Sequence, residues 1–403
     1  QQVPFSPEEF EKIKSRAEKM VNNLAERDAQ FKLEEQAFLI EPGGSAVVGA
    51  RQLFDTSAHT AVTKMVGMFL KQSMMPTLNV RNNQQGDPDK VEKVIRGLLE
   101  AQSVVSSSNW IADGFYSFAI FGEGTAIIHK LITGDPNADA SIRVPFVFKV
   151  PHPSSSYPVY SSGIIGGLYR HVFKIITTLG EVQEDYADAK SLEGDADEVV
   201  TAFDYMDRVS RVHCVWIQEH ADMPVRWANL PVGLQTMPRA CRLSTDAPGF
   251  FVKEKDRRHG LISAFIRAGL WAALNTLWSV MYSNIFDYID PDIEIHGETL
   301  ERAKQIDEEM DFESRPLKLH MTLQERIAVM AKQLIPPEIT TFIGVTSGMK
   351  SDILIPPIAG GTPPNVVTAA AGLNIMSENA NRAVNYLADA MGLLVGDVLN
   401  DVL

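Results

Sequence analysis

Apolar residues recur at helical spacing near both ends of the chain and in short β-like runs through its middle. From Ser6 to Leu39, the apolar residues Phe10, Ile13, Ala17, Met20 and Leu24 fall on one face. Ser6-Pro7-Glu8-Glu9 supplies an N-cap, a proline at the first helical position and acids for the first turn. One long amphipathic helix is expected there, ended by Pro42-Gly43-Gly44. A second helix is expected over Gly49–Met74, stopped before Pro76, and a third over Asp89–Phe118, opened by Asp87-Pro88.

Between Ala126 and Trp227 the pattern becomes β-like. Runs rich in Val, Ile, Phe and Tyr, at Ala126–Ile128, Val144–Val150, Leu168–Ile176 and Val212–Ile217, alternate with turns, which predicts an antiparallel sheet. Gly122-Glu123-Gly124 reads as the turn that stops the preceding helix. Glu181–Asp207 holds ten acids against one lysine and reads as a solvated loop or an exposed helix face.

Leu261–Phe286 carries one charge, Arg267. The length suits a membrane span, but Arg267, Asn275 and Asn284 interrupt it and no basic flank accompanies it, so a buried helix is expected. Short strands, Ile293–Ile295 and Leu317–His320, then surround a charged helix, Glu298–Met310. Helical pieces follow at Thr322–Leu334 and Glu338–Ser347. After the Pro/Gly-rich loop Pro356–Pro364, a final helix from Asn365 carries the stripe Leu373, Met376, Ala380, Val384, Leu387, Met391, Leu394, Val398 and Val402. The predicted class is α+β.

Composition narrows the function. The chain has 403 residues, 45% of them apolar, enough for two or three packed regions. A net charge of −14 disfavours a protein that reads DNA through its phosphates, because such proteins use Lys and Arg to displace counterions. It is compatible with a wall past which DNA slides. Cys214 and Cys241 suit a reducing compartment. The sequence opens on Gln1 rather than Met, so a preceding stretch is expected, and no export signal is visible.

A search for catalytic chemistry finds no phosphate loop and no Gly-x-Ser-x-Gly elbow. His213, Glu219 and His220 lack metalloprotease spacing. His213 and Cys214, adjacent in a predicted strand, point to opposite faces. Asp290-Pro291-Asp292 reads as a turn after a helix rather than a magnesium site. No catalytic, cofactor-binding or metal-binding residue is assigned, no cofactor is expected, and the chain is not expected to be an enzyme.

Several motifs, in order, resemble the portal (head-to-tail connector) family of short-tailed phages. Gly49-Ala50-Arg51-Gln52-Leu53-Phe54-Asp55-Thr56-Ser57-Ala58, leading into a helix that ends near Met75-Pro76 and then Leu78-Asn79-Val80, resembles the family's helix before its P…W-x-x-L strand, with no Trp here. Phe121-Gly122-Glu123-Gly124-Thr125-Ala126-Ile127-Ile128 resembles the helix end and first strand of the family's wing. His152-Pro153 through Tyr157-Pro158-Val159-Tyr160 and Leu168-Tyr169-Arg170-His171-Val172-Phe173 resemble the wing hairpin, and Val212-His213-Cys214-Val215 the strand after it. His259-Gly260-Leu261 through Ala273-Leu274-Asn275-Thr276-Leu277 resembles the stem helix. Pro363-Pro364-Asn365-Val366-Val367-Thr368-Ala369-Ala370-Ala371 sits where the family places a loop before a long helix.

The resemblance implies a portal-like α+β subunit with long wing and stem helices, an antiparallel β wing region and a small mixed α/β clip. The wing would span 1–258, the first stem helix 259–286, the clip 287–330, the second stem helix 331–355, a tunnel loop 356–364, and a long wing helix 365–403 leading toward a crown. Trp271, Leu274, Leu277, Trp278 and Met281 would lie in the stem or at subunit interfaces. The loop tip, Ile358, Ala359, Gly360, Gly361 and Thr362, is uncharged and flanked by stiffening prolines, so it could touch DNA without holding phosphates. Lys350 is the candidate for a basic ring in the channel. The implied partners are copies of the chain in a closed, dodecameric ring, the major capsid protein, the terminase motor, a tail adaptor and double-stranded DNA passing without sequence specificity. No membrane is implied. The implied location is the virion, at the capsid portal vertex, after assembly in the host cytoplasm, with a role in DNA packaging and ejection. Two other classes remain open: another virion structural protein, such as a tail adaptor or minor capsid protein, and a soluble α+β enzyme.

Overall fold

A computed structural model describes residues 5–41, 53–71, 93, 96–97, 109–130, 146–160, 168–186, 189, 192–220, 223–230, 239–243, 260–289, 293–310, 317–321, 326–329, 337–353, 387–396 and 398. The fold is α+β. The chain forms two compact units: residues 1–35, 60–264 and 355–403 in the first, and 36–59 and 265–354 in the second.

The first unit is organised by a five-stranded antiparallel sheet, β3 (Ser156–Tyr160), β4 (Leu168–Thr178), β5 (Val199–Asp207), β6 (Val212–Ile217) and β7 (Arg226–Asn229), in that spatial order. Helix α1 (Pro7–Asn23) lies on one face. Its buried residues Phe10, Ile13, Ala17 and Met20 are those of the helical stripe, and they meet Tyr157, Val172, Phe203, Tyr205, Cys214 and Trp216. The other face packs Leu179 and Val182 of a short helix (Leu179–Asp185) against Val200, Ala202, Val215 and Ile217. A second sheet sets β1 (Glu123–Lys130) between β2 (Phe146–Lys149) and β8 (Arg239–Leu243), both antiparallel to it. Before β1 runs a helix, Trp110–Phe121. The Asn109 side chain caps it by accepting from the N–H groups of Ile111 and Ala112, and Gly122, at φ 71°, ends it.

In the second unit, a helix α7 (Leu270–Ile289) leads into a βαβ element in which β9 (Ile293–Gly297) and β10 (Leu317–Met321) are parallel, joined through the helix Leu300–Met310. A third strand, β11 (Arg326–Val329), pairs antiparallel with β9. Helix α9 (Pro337–Ile353) follows and packs against α7.

Several expectations are corrected. The helix expected over Ser6–Leu39 is two, because Leu24 leaves helical geometry (φ −109°, ψ 12°) before Ala25–Leu39 resumes. In the second expected helix, residues 53–56 are not helical, and the described helix is Ser57–Lys71. The third is interrupted by the cap at Asn109. The helical piece expected at Thr322–Leu334 contains the strand β11, whose pairing with β9 overrides local helix preference. The acid-rich stretch is not one solvated segment: it ends in β5, where Asp204 and Asp207 are buried. The helix expected over Leu261–Phe286 breaks at Gly269 (φ 71°), separating Ser263–Arg267 from α7. The helix expected at Glu338–Ser347 runs on to Ile353.

Candidate functional site

The sequence-selected residues that the structure describes lie on α7 and α9. Trp271 and Leu274 are buried, and Leu277, Trp278 and Met281 are half-buried. Two polar side chains one turn apart on α7 hold the segment before the helix Ser57–Lys71. The Asp55 N–H donates to Asn275 Oδ1 at 2.7 Å, and the Leu53 N–H donates to Ser279 Oγ at 3.0 Å. Ser279 Oγ in turn donates to the Leu53 carbonyl at 3.2 Å. Asp55 is buried, and one of its oxygens accepts from the Ser57 N–H at 2.7 Å, at the start of that helix. Its other oxygen receives Lys350 Nζ of α9 at 3.2 Å.

Much of the outward surface of α9 is apolar, although Thr340 and Thr341 are exposed on it as well. Phe342, Val345 and Met349, at helical spacing, are each about half exposed (53%, 55% and 49%). Gly344 and Gly348 are exposed beside them, and a Cβ added at either would meet no atom within 4 Å. On α7, Tyr282 and Ile285 are also exposed. Sequence reasoning selected the buried stripe of α7 and missed this outer stripe of α9. The signal was present as Phe-x-x-Val-x-x-x-Met, but the turn-by-turn pattern does not say which apolar face finds a partner within its own chain.

The tunnel-loop residues Ile358, Ala359, Gly360, Gly361 and Thr362 lie outside the described residues, as do Asp290 and Asp292. No group of three or more potential metal ligands occurs among the described residues. Nor is any described helix long and apolar enough to cross a membrane.

The first unit contains a buried polar network. Arg27 Nη1 donates to the Ser156 carbonyl at 2.7 Å and lies 3.4 Å from both Glu123 oxygens, while its Nε reaches Asp28 Oδ1 at 2.9 Å. Tyr157 donates to Asp28 Oδ2 at 2.9 Å. Burial, then the Asp28 carboxylate, pushes the Tyr157 phenol well above its ordinary pKa. Ser156 Oγ sits 2.9 Å from both Thr125 Oγ1 and His171 Nε2. All three are fully buried, so this serine–histidine contact ties strands together and offers no substrate access. His213 and Cys214 do face opposite sides of β6: His213 Nε2 meets Asp204 Oδ1 at 2.9 Å, and Cys214 sits under α1. Burial raises the Cys214 thiol far above its usual range, leaving it an unreactive core side chain.

No family model matches the chain, and no curated protein matches it. Among solved structures it is similar to a chain of a particle described as the virion of a native gene transfer agent, at 12% identity over 83% of this chain and 87% of that chain, with a TM-score of 0.35. A likeness that loose fixes neither fold nor function.

Proposed function

We propose that the protein is a virion structural subunit that closes into a ring around a DNA-conducting channel, the portal of a phage-like particle. The observation that carries this reading is the outer face of α9. Three large apolar side chains stand exposed along it, and a helix that is apolar on both sides needs a partner on both. The two glycines favour the same reading. Glycine in a helix interior costs about 1 kcal/mol against alanine, and among the described residues none comes within 4 Å of a Cβ placed at 344 or 348. A neighbouring helix approaching closely would need that space. A patch that meets a different patch on the next copy, through a rotation that closes, generates a ring.

In this assignment α7 and α9 are the stem, the βαβ-β element between them is the clip, and the first unit is the wing. The loop Ile358–Thr362 would face the bore. Acidic net charge would let DNA slide rather than bind. Capsid protein, terminase motor and tail adaptor would be the partners, and the subunit would catalyse nothing.

Electron microscopy and native mass spectrometry of the purified chain test the assignment. A closed ring of about a dozen subunits with a central hole is expected. A stable monomer or dimer at every concentration, with capsid protein present as well as absent, would overturn it, and an open or hole-free assembly would favour another virion structural role.

A further inference from the structure

The last part of β4 has a neighbouring strand on one side only. β5 pairs with β4 from Arg170 to Thr178, whereas β3 pairs with it only as far as Phe173, opposite Ser156. Ahead of Ser156 the chain turns through the short helical turn Pro153–Ser155. Among the described residues, β5 is the only strand paired with Lys174–Thr178.

The hydrogen-bond phase of this ladder is fixed at both ends. The Arg208 N–H donates to the Tyr169 carbonyl at 2.8 Å, and the Leu179 N–H donates to the Glu198 carbonyl at 2.9 Å. Odd-numbered residues of β4 therefore bond toward β5, and even-numbered ones turn their N–H and C=O to the other side. Pro158 fits this phase. It lies opposite His171, an odd-numbered residue, where β3 has no N–H to donate and β4 asks for none. Beyond the end of β3, the N–H and C=O of Lys174 and Ile176 face the open side.

Exposure follows the same boundary. Residues 171–173, with a strand on each side, are buried, and 174–178 are half-buried or exposed. Ile175 and Ile176 point to opposite faces, and both are exposed (38% and 73%). A missing layer above one face would bare every second side chain. Consecutive bare side chains mark a missing strand beside β4. Ile175-Ile176-Thr177-Thr178 is β-branched throughout, and within it no proline, charge or bulge blunts the edge.

A cleft of about 1030 Å3 adjoins this edge. It is lined by Ile175 and Ile176, by Val182 and Tyr186 after β4, and by Val150 and Pro151 ahead of β3. An edge that lines a cleft admits a single extended chain more readily than the edge of a second folded copy, which would bring the same walls with it. Charges of both signs, Lys149 and Lys174 with Asp28 and Glu181, also line the cleft. Charge therefore selects no partner here, and the backbone ladder and the apolar lining do.

We propose that an extended segment of a partner protein adds to the sheet as a strand beside Lys174–Thr178. Its backbone completes the ladder at Lys174 and Ile176, and its alternate apolar side chains enter the cleft. The inference does not depend on the ring assignment, since it concerns a strand edge in the other unit.

The test uses the full chain and a fluorescein-labelled peptide of alternating Val and Thr with a lysine at each end. Saturable binding with Kd below about 1 mM is expected. Two further peptides carry N-methyl groups on the Val residues or on the Thr residues. Alternate residues of an added strand bond to β4, so one set should weaken binding at least tenfold and the other should leave it unchanged. A peptide with Ser in place of Val should also bind at least tenfold more weakly. In residue-resolved hydrogen exchange, the Ile176 N–H should exchange freely and slow at least tenfold with peptide, while the Ile175 N–H stays protected throughout. Ile176→Pro removes an outward N–H and no bond to β5, so it should abolish binding and keep the fold. No binding, equal effects of the two N-methyl sets, or an Ile176 N–H already protected in the free chain would overturn the proposal. So would an Ile176→Pro variant that binds normally or changes oligomeric state, since in the second case the edge belongs to another copy. The N-methyl comparison uses the unaltered chain, so it decides even if the proline variant fails to fold.

Discussion

Lys350 Nζ lies 3.2 Å from Asp55 Oδ2, joining α9 to the start of a helix 295 residues earlier in the chain. Asp55 is the more buried partner, with a side chain 4% exposed against 23% for Lys350. Lys350→Met therefore leaves a buried carboxylate with only hydrogen bonds to hold it, and should cost about 1–3 kcal/mol. Adding Asp55→Asn should recover part of that loss, so the two substitutions will be non-additive in chemical denaturation. Strict additivity would show that the contact contributes nothing. In the proposed channel, a lysine paired with Asp55 would present less charge to DNA than an unpaired one.

Gly344 and Gly348 separate assembly from folding. Replacing either by alanine fills open space on an exposed helix face, so the isolated subunit should gain up to about 1 kcal/mol per site. Replacing both by leucine should leave the subunit folded and abolish or reduce ring formation on native mass spectrometry. Rings of unchanged size and stability in the leucine variant would remove α9 from the subunit interface.

The sequence makes period and sign legible, and partnering much less so. The α1 stripe Phe10, Ile13, Ala17 and Met20 is the buried stripe because one sheet face lies under it, and β6 has the bounds its β-branched run implies. In the sequence Leu24 continues the stripe, since a break in helical geometry at an apolar residue leaves no compositional mark. Among ten acids in the sequence, nothing local distinguishes Asp204 and Asp207 from solvated ones. Their burial depends on His213 across the sheet and on Arg170, Tyr205 and the turn amides of Val209 and Ser210, contacts that only tertiary structure supplies. In the sequence Asn275 is only an interruption of an apolar run. Its role in holding Asp55 is a contact between positions 220 apart in the sequence, which no local pattern encodes.

Gly260 sits tightly against another backbone segment. Its N–H donates to Ser263 Oγ at 2.8 Å, the Leu261 N–H donates to the Ala119 carbonyl at 2.7 Å, and a Cβ at 260 would collide with the Ile120 carbonyl oxygen. That obstacle is backbone, which cannot turn aside as a side chain would. Gly260→Ala should destabilise the first unit by roughly 1–3 kcal/mol, the range for overpacking a well-packed site. Gly67→Ala, where a Cβ meets nothing within 4 Å, is the control and should not destabilise. Equal midpoints for the two variants would contradict the close approach.

Two groups should make stability fall in two steps as pH drops. Burial weakens the neutral-to-charged balance of Asp207, but Arg170 Nε at 2.8 Å, the Val209 N–H at 2.8 Å and Tyr205 OH at 3.0 Å outweigh it, holding the carboxyl below its ordinary pKa. The folded state therefore binds this proton less readily than the unfolded state. Its stabilisation is complete above the unfolded value of about 4 and is lost as pH falls through the folded one. His152 is also lowered, chiefly by burial, with Glu35 and Asp28 opposing and Arg27 assisting. Its neutral ring accepts from the Ser154 N–H at Nδ1, 3.2 Å away, a bond that protonation removes. Here the stabilisation is complete above about 6.5, the unfolded value, and declines as pH falls toward the lower folded value. The thermal midpoint should thus dip gently below about pH 6.5 and steeply below about pH 4. His152→Gln should remove the first step and Asp207→Asn should flatten the second, each leaving the other in place. A first step that survives His152→Gln would assign it to a different histidine.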